Sequence, residues 1–399
     1  MQTHKVDVLI AGLGPVGSVA ALYLARHGIT VAALESNPGA TDLRASTFHP
    51  PTLEMLDSIG AADTLKGRGL KAPEFQYRDR ASGETIAFDM SELASDTAFP
   101  FRIQCEQHYM SQEVIEKLGR EAKAKVSLSS RLTFFEQHDD KVVAYAETPY
   151  DVERYEARYL IGADGANSLT RKLLGLGFGG FTYKEKFLCL STEYPVEDAF
   201  ENLCFVNYIS DPDEWMVLLR VPTLWRILVP AENSDADDYL LSDEKKNDVF
   251  ARMLKRDVDV KTYHRTIYRV HQRVADAFEK GRVCLIGDAA HLNSPMGGFG
   301  MNSGIHDAFN LCERLVRILR DKDDTRLIAQ FGRQRRQVTH DFVQAQTIEN
   351  TKAMSQGWGS ARENRRRQME AIQSDPAARR AYLRRQAMFT SLEDAAAIQ

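Results

Sequence analysis

The stretch "VDVLIAGLGPVGSVAALYLARHGITVAALE" (residues 6–35) decides the fold. An apolar run, Val6 to Ala11, breaks at Gly12, Gly14 and Gly17; a helix-like segment, Pro15 to Arg26, and a second apolar run, Thr30 to Glu35, follow. Short apolar runs bounded by glycine read as buried strands, so the order is strand, turn, helix, strand. Each glycine has a task in that order. Gly12 makes the turn, Gly14 lets the backbone approach a pyrophosphate, and Gly17 lets the helix pack on the strand. The helix start at Pro15 and Val16 offers unpaired N–H groups and the positive end of a dipole. Glu35, with Ser36 beside it, stands where a carboxylate accepts hydrogen bonds from a ribose. A dinucleotide is implied, and this stretch leaves NAD and FAD both open.

The same grammar returns twice. "YLIGADGANSLTR" (159–171) is an apolar run that breaks at Gly162 into an Asp164-Gly165 turn, with Asn167 or Ser168 able to cap a helix from Leu169. "GRVCLIGDAAHLNSPMGGFGMNSGIHDAFNLCERLVRIL" (281–319) gives a buried strand, Val283 to Ile286, and a turn at Gly287-Asp288. A long amphipathic helix, Met301 to Leu319, follows behind Gly297, Gly298 and Gly300. A carboxylate at a strand end can hold sugar hydroxyls, and a glycine-rich helix start can cradle negative charge. A protein binding only an adenine nucleotide at its amino end would not need these two later corners.

Composition narrows the class. A chain of 399 residues exceeds one simple core, and its charged fraction of 27% with net charge -5 is that of a soluble globular protein with no call for nucleic acid. The five cysteines are odd in number, scattered and never in a CxxC pair, against a disulfide framework or a metal site. No basic leader opens the chain, and no apolar stretch approaches the roughly 18 residues that span a bilayer. A cytoplasmic protein without a membrane partner is expected.

Taken together, these motifs resemble the class A single-component FAD-dependent aromatic monooxygenases of the p-hydroxybenzoate hydroxylase fold. The amino-terminal GxGxxG, the "DG" pair Asp164-Gly165 with Ser168 and Arg171, and the "GD" run Gly287-Asp288-Ala289-Ala290-His291 occur in that family's order. Pro295 and the run Gly297 to Asn302 then resemble its loop beside the isoalloxazine, and the likeness covers residues 5 to 330. It implies bound FAD, NADH or NADPH as co-substrate, and O2. An electron-rich aromatic or N-heteroaromatic phenolic substrate would be hydroxylated through a flavin C4a-hydroperoxide. It assigns Glu35 to the adenosine ribose, Asp288 to the ribityl and phosphate region, and Asp164 to the corner near the pyrophosphate. Gln107 matches a ribityl contact and Arg44 a cation near the nucleotide, against the alternatives of a helix-start residue and a surface cation. Backbone at Gly298, Gly300, Met301 and Asn302 is placed to stabilise negative charge on the reduced flavin. No side-chain nucleophile is needed, so no catalytic residue is named, and His291 reads as structural.

The expected architecture is α/β. A discontinuous FAD-binding Rossmann-like domain (1–72, 98–178 and 270–330) joins a β-rich substrate domain (73–97 and 179–269) and a helical C-terminal segment (331–399). Tyr208, Trp215, Trp225 and the arginines Arg220 and Arg226 are candidates for a small aromatic substrate, with Arg220 preferred. Strand alternation puts Arg220 with Leu218 and Arg226 with Leu228; the alternative is that both arginines face solvent. Pro295 and Phe299 join this set. Ser294 and Phe299 depart from the family's usual loop and suggest a more apolar pocket there. The arginine-dense C-terminal helices read as solvated faces. Other readings remain: a quinone-biosynthesis hydroxylase of a polyprenylated phenol, or a noncatalytic flavin-binding redox sensor. The sequence leaves a homo-oligomeric state open.

Overall fold

The computed structural model describes residues 2–39, 45–211, 214–355 and 360–399. Two eight-stranded sheets organise it. In the first, five strands run parallel in the order Val283–Leu285, Val152–Gly162, Thr3–Ala11, Val31–Leu34 and Ala124–Ser127. The strands Arg131–Gln137 and Val142–Glu147 form a meander leading into Val152–Gly162. Val31–Leu34 and the second half of Thr3–Ala11 are buried on both faces, as a parallel sheet covered by helices requires. Helices Pro15–Arg26 and Phe299–Leu319 pack against each other over it, and Val19, Leu22, Leu311 and Leu315 share its core.

The second sheet is antiparallel except where Glu74–Asp79 joins Val206–Ser210 in parallel. Its two faces bury different clusters. Leu188, Leu190, Leu218, Trp225 and Ile227 face the helix Asp243–Leu254, which contributes Val249, Phe250 and Met253. Phe187, Cys189, Tyr208, Trp215, Val217 and Leu228 face the other way, toward Met296 and the C-terminal helices.

Three expectations need correction here. The strands Phe178–Thr192 and His264–Ala275 are longer than read, and their pairing runs from Phe178 with Ala275 upward. Gly177 and Asp276, which hydrogen-bond each other, mark the crossing between sheets, so a break at 269/270 falls inside a strand. The helix Asp243–Leu254, capped by Ser242 through Lys245 N, lies within the segment read as β-rich, for which only strands were named. The helix Pro376–Gln386 is not a solvated face. Arg379 pairs with Glu92 at 2.8 Å, and Arg380 and Arg384 with Asp96 at 2.7 and 2.8 Å, docking the helix on the loop after the strand Thr85–Asp89. By contrast, Arg366 and Arg367 pair with Glu363 on their own helix. No helix among the described residues is long and apolar enough to cross a membrane.

Candidate functional site

The parallel strands of the first sheet end level with one another. Ala11 pairs with Gly162 and with Leu34, and Gly162 pairs in turn with Leu285. Gly12, Glu35, Ala163 and Ile286 therefore begin loops at one carboxyl edge, where open α/β sheets take their ligands. The closeness accounts for two glycines. A Cβ at Gly12 (φ +98°) would strike Ala163 O, and one at Gly17 would strike Gly12 O. Gly14 differs: it caps the helix Pro15–Arg26 without a side-chain hydrogen bond, and a Cβ there would meet nothing else of the chain within 4 Å. Open space faces unpaired helix N–H groups.

Glu35 is buried and oriented by the chain. Its Oε2 accepts from Leu13 N (2.8 Å), and its Oε1 accepts from Asn37 N (2.9 Å) and from Ser36 Oγ (3.2 Å). Asn37 Nδ2 also donates to Oε1 (2.9 Å), so Oε2, with a single donor, is the oxygen that retains acceptor capacity for a sugar hydroxyl. Asp164 is engaged otherwise. Ser168 Oγ donates to its Oδ1 (2.5 Å), while Thr170 N and Oγ1 donate to its Oδ2, both at 2.9 Å. The carboxylate is turned into the start of the helix Leu169–Leu173, where it builds the corner. Arg171 reinforces that corner, donating to Ala289 O and Ala166 O at 2.8 Å and stacking 3.7 Å above Phe178.

Behind the turn Gly287–Ala289 lies a fully buried hub. Asp307 accepts from Gly287 N (3.1 Å), His291 Nε2 (2.8 Å) and Arg335 Nε (2.6 Å). Burial opposes its ionisation, but Arg335 and His291 more than offset this and hold its carboxyl below the ordinary value. Asp288, half-buried, lies in the same turn.

The long helix begins at Phe299, two residues earlier than the sequence suggests, with Gly298 (φ +71°) as a cap lacking a side-chain hydrogen bond. Asn302 fixes this start to the strand Thr47–Phe48: its Nδ2 donates to Thr47 O (2.8 Å) and Gly298 O (2.6 Å), and its Oδ1 accepts from His49 N (3.0 Å). Met301 is buried and Gly300 half-buried in the first turn, whose amides have no intrahelical acceptor. Gln107 opens the helix Gln107–Leu118, is buried, and donates its backbone N–H to Ala45 O (3.0 Å). Arg44 lies outside the described residues.

The substrate candidates divide between the two faces of the second sheet. Arg220 pairs in register with Trp225 and sits 5.6 Å above its ring, on the face covered by the helix Asp243–Leu254. Trp225 Nε1 there donates to Glu197 (2.5 Å). Both residues face away from the Met296–Gly298 loop, which corrects the choice of Arg220 and removes Trp225. Arg226 is the inward arginine: buried, it donates to Tyr268 OH (2.8 Å) and Ser46 Oγ (3.2 Å). Tyr208 and Trp215 share its face, the latter edge-on to Phe187. Pro295 is exposed, and its carbonyl accepts from Gly298 N. Phe299 and Ser294 do not make the pocket apolar. Phe299 packs with Val338, Phe342 and Met388, and Ser294 bonds Thr351, so both depart from the family loop to dock the C-terminal helices.

One residue was missed. Arg102, in the strand Arg102–Gln104, is 1% exposed, stacks 4.5 Å from Phe75, and reaches Gln386 O at 3.4 Å; its Nε and Nη1 have no hydrogen-bond partner. Its charge acts on His49 and Tyr208. Burial, aided by Arg102, drives the His49 pKa far down, so neutral His49 donates from Nε2 to Gly297 O (2.9 Å). Burial raises the Tyr208 pKa to about 12, against the opposing pull of Arg102 and the Gly297 backbone, so Tyr208 stays a donor. Tyr208 also lines a cavity of about 350 Å³ between Tyr77, Ile86, Lys352, Met354 and Arg365. The one sequence signal was a charged residue inside the apolar run "FPFRI". Among the described residues no His, Cys, Asp and Glu cluster could hold a metal.

Comparison with known proteins agrees with this geometry. The model of an FAD binding domain family matches residues 5–346. The chain is 33% identical to para-nitrophenol 4-monooxygenase of Pseudomonas sp. (strain WBC-3), covering 84% of each chain. It is 30% identical to 6-hydroxy-3-succinoylpyridine 3-monooxygenase of Pseudomonas putida, over 88% of this chain and 89% of that one. The crystal structure of p-nitrophenol 4-monooxygenase from Pseudomonas putida DLL-E4 superposes with a TM-score of 0.91 at 28% identity, covering 99% of both chains.

Proposed function

We infer the substrate chemistry from one premise: the chain belongs to the FAD binding domain family and is an FAD-dependent aromatic monooxygenase that uses NAD(P)H and O2. The cleft fits that cofactor, since the chain leaves Gly14 open before an uncapped helix start and aligns three strand ends beside it. Gly12, Gly14, Pro15, Val16 and Gly17 would hold the pyrophosphate, and Glu35 with Ser36 the ribose. Gln107 and Asp288 would hold the ribityl chain, and backbone at Gly298, Gly300, Met301 and Asn302 the charge of the reduced ring. Bound FAD supplies reduction by NAD(P)H and transfer of one oxygen atom from O2, chemistry that no side chain performs.

The substrate is a one-ring phenol or hydroxypyridine bearing an acidic or electron-withdrawing group. The observation that carries this reading is the inward face of the second sheet, where Tyr208, Arg226 and Tyr268 stand as polar groups in a wall of Phe187, Val217, Leu228 and Met296. The apolar wall excludes water, and the polar groups orient the ring. The names of the two relatives, a nitrophenol and a hydroxypyridine monooxygenase, support the same class. The first sheet with its helices would form the FAD unit, the second sheet the substrate unit, and the C-terminal helices would close the site.

The test is NADH and NADPH oxidation with product mass across nitrophenols, chlorophenols, phenolic acids and hydroxypyridines. Stimulation by one of these, with an oxygen-bearing product, is expected. Turnover confined to polyprenylated phenols, or none with any aromatic compound, would contradict the reading.

A further inference from the structure

Arg102 is a cation without a counter-ion. A guanidinium stays charged at any ordinary pH, and a buried donor left unpaired costs about 1–3 kcal/mol. Among the described residues no carboxylate pairs with Arg102, and two of its three nitrogens have no partner. Gln104, two residues on, shares its side of the strand. Its Oε1 accepts from Thr47 Oγ1 (3.0 Å), while its Nε2 is likewise a buried donor without a partner. Thr47 lies under Gly298, where a Cβ would sit 3.1 Å from its side chain, so this strand faces the start of the long helix. Arg102 also interacts with Tyr208, which lines the cavity. Tyr208, His49 and Cys204 feel the charge of Arg102; all three are neutral, and none of them supplies a negative charge.

We propose that Arg102, with the Tyr208 hydroxyl, is the anion site of the substrate pocket and takes the ring oxygen of the phenol as its phenolate. The proposal rests on the substrate reading above and deepens it. A phenolate completes the charge balance of the buried guanidinium, and its single oxygen can accept a charge-assisted hydrogen bond from a free guanidinium N–H. Ionising the ring oxygen also raises the electron density of the ring, which oxygen transfer to carbon requires. Arg226, on the same face as Tyr208 but already bonded to Tyr268 and Ser46, does not bind the anion.

The probe is 4-nitrophenol, whose phenolate absorbs in the visible, titrated into the FAD-loaded, oxidised protein over a range of pH. Bound 4-nitrophenol is expected to ionise about one pH unit or more below the free compound. Arg102→Met is expected to weaken binding about tenfold or more and to return the ionisation of any bound ligand to its free value or above. Arg102→Lys should keep the ionisation low at reduced affinity. Where the methionine variant loses FAD, Arg102→Gln serves as the uncharged variant. Arg220→Met, on the far face, should leave binding unchanged. Wild-type affinity and ionisation in an FAD-replete uncharged variant would overturn the proposal. So would 4-nitroanisole, which cannot ionise, binding as tightly and with the same dependence on Arg102. Failure of the wild-type protein to bind or turn over any phenol would instead overturn the substrate reading itself.

Discussion

Arg335 and Arg102 are equally hidden, each 1% exposed, yet their surroundings are opposites. Arg335 donates to Asp307 Oδ1 at 2.6 Å and to Ser303 Oγ at 3.1 Å, and the hub it completes also takes His291 and the backbone of Gly287. Arg102 has Phe75 beneath it and a long contact to Gln386 O, with no carboxylate. A buried charge that finds its partner inside the chain holds structure together. One that does not is a cost the fold carries for something that binds.

The sharpest test of that contrast is to remove each arginine. Arg335→Met leaves Asp307 charged and buried, and should destabilise the protein by about 3–5 kcal/mol in denaturant unfolding, with loss of FAD. Arg102→Met should leave stability nearly unchanged or raise it, because it removes an uncompensated ion. Equal losses in the two variants would break the comparison.

The glycines divide along the same line. Gly17→Val drives a side chain into Gly12 O and should cost the apoprotein several kcal/mol, on the order of an overpacked core. Gly14→Ala adds a Cβ that meets nothing else of the chain within 4 Å, so the apoprotein should unfold as the wild type does while FAD retention falls. A Gly14 variant that purifies with a full complement of flavin would refute the pyrophosphate assignment. Asp288→Ala should weaken FAD by about 1–3 kcal/mol, read as a flavin dissociation constant, because a charged acceptor is lost.

Acid sensitivity is a graded effect, modest per pH unit. Burial, with Arg335 nearby, lowers the His306 pKa to about 3, and its Nε2 lies 3.0 Å from Thr52 Oγ1. The unfolded chain therefore binds a proton between about pH 6.5 and 3 that the folded chain refuses. Stability is full above pH 6.5 and falls through that window by about 1.4 kcal/mol per pH unit for this group. His306→Gln should flatten the slope of unfolding free energy against pH by that amount. An unchanged slope would show that His306 is protonated in the folded protein.

Much of the fold was legible because its signals are local. Residues 6–35 contain strand, turn, helix and acidic end in one run, and Ser168 caps its helix as the sequence suggests. What failed depended on partners far along the chain. Alternation groups Arg226 with Leu228 and Arg220 with Leu218, but which group faces the cleft depends on the helix Asp243–Leu254 covering the other side. The arginines at 379, 380 and 384 look solvated until Glu92 and Asp96, nearly 300 positions earlier, come alongside. Arg102 left only the charge inside "FPFRI" as its signal, and no carboxylate among the described residues pairs with it to show what it is for. Asp164 shows a local signal again: Ser168 and Thr170, within six residues, offer the donors that orient it at its corner.

The most direct measurement is a single turnover of the NADH- or NADPH-reduced holoenzyme with 18O2 and the phenol that stimulates it, followed by product mass. The expected result is a product carrying one 18O atom for each enzyme-bound flavin oxidised. Reoxidation of the flavin with hydrogen peroxide as the sole product, for every phenol and hydroxypyridine tried, would contradict the account.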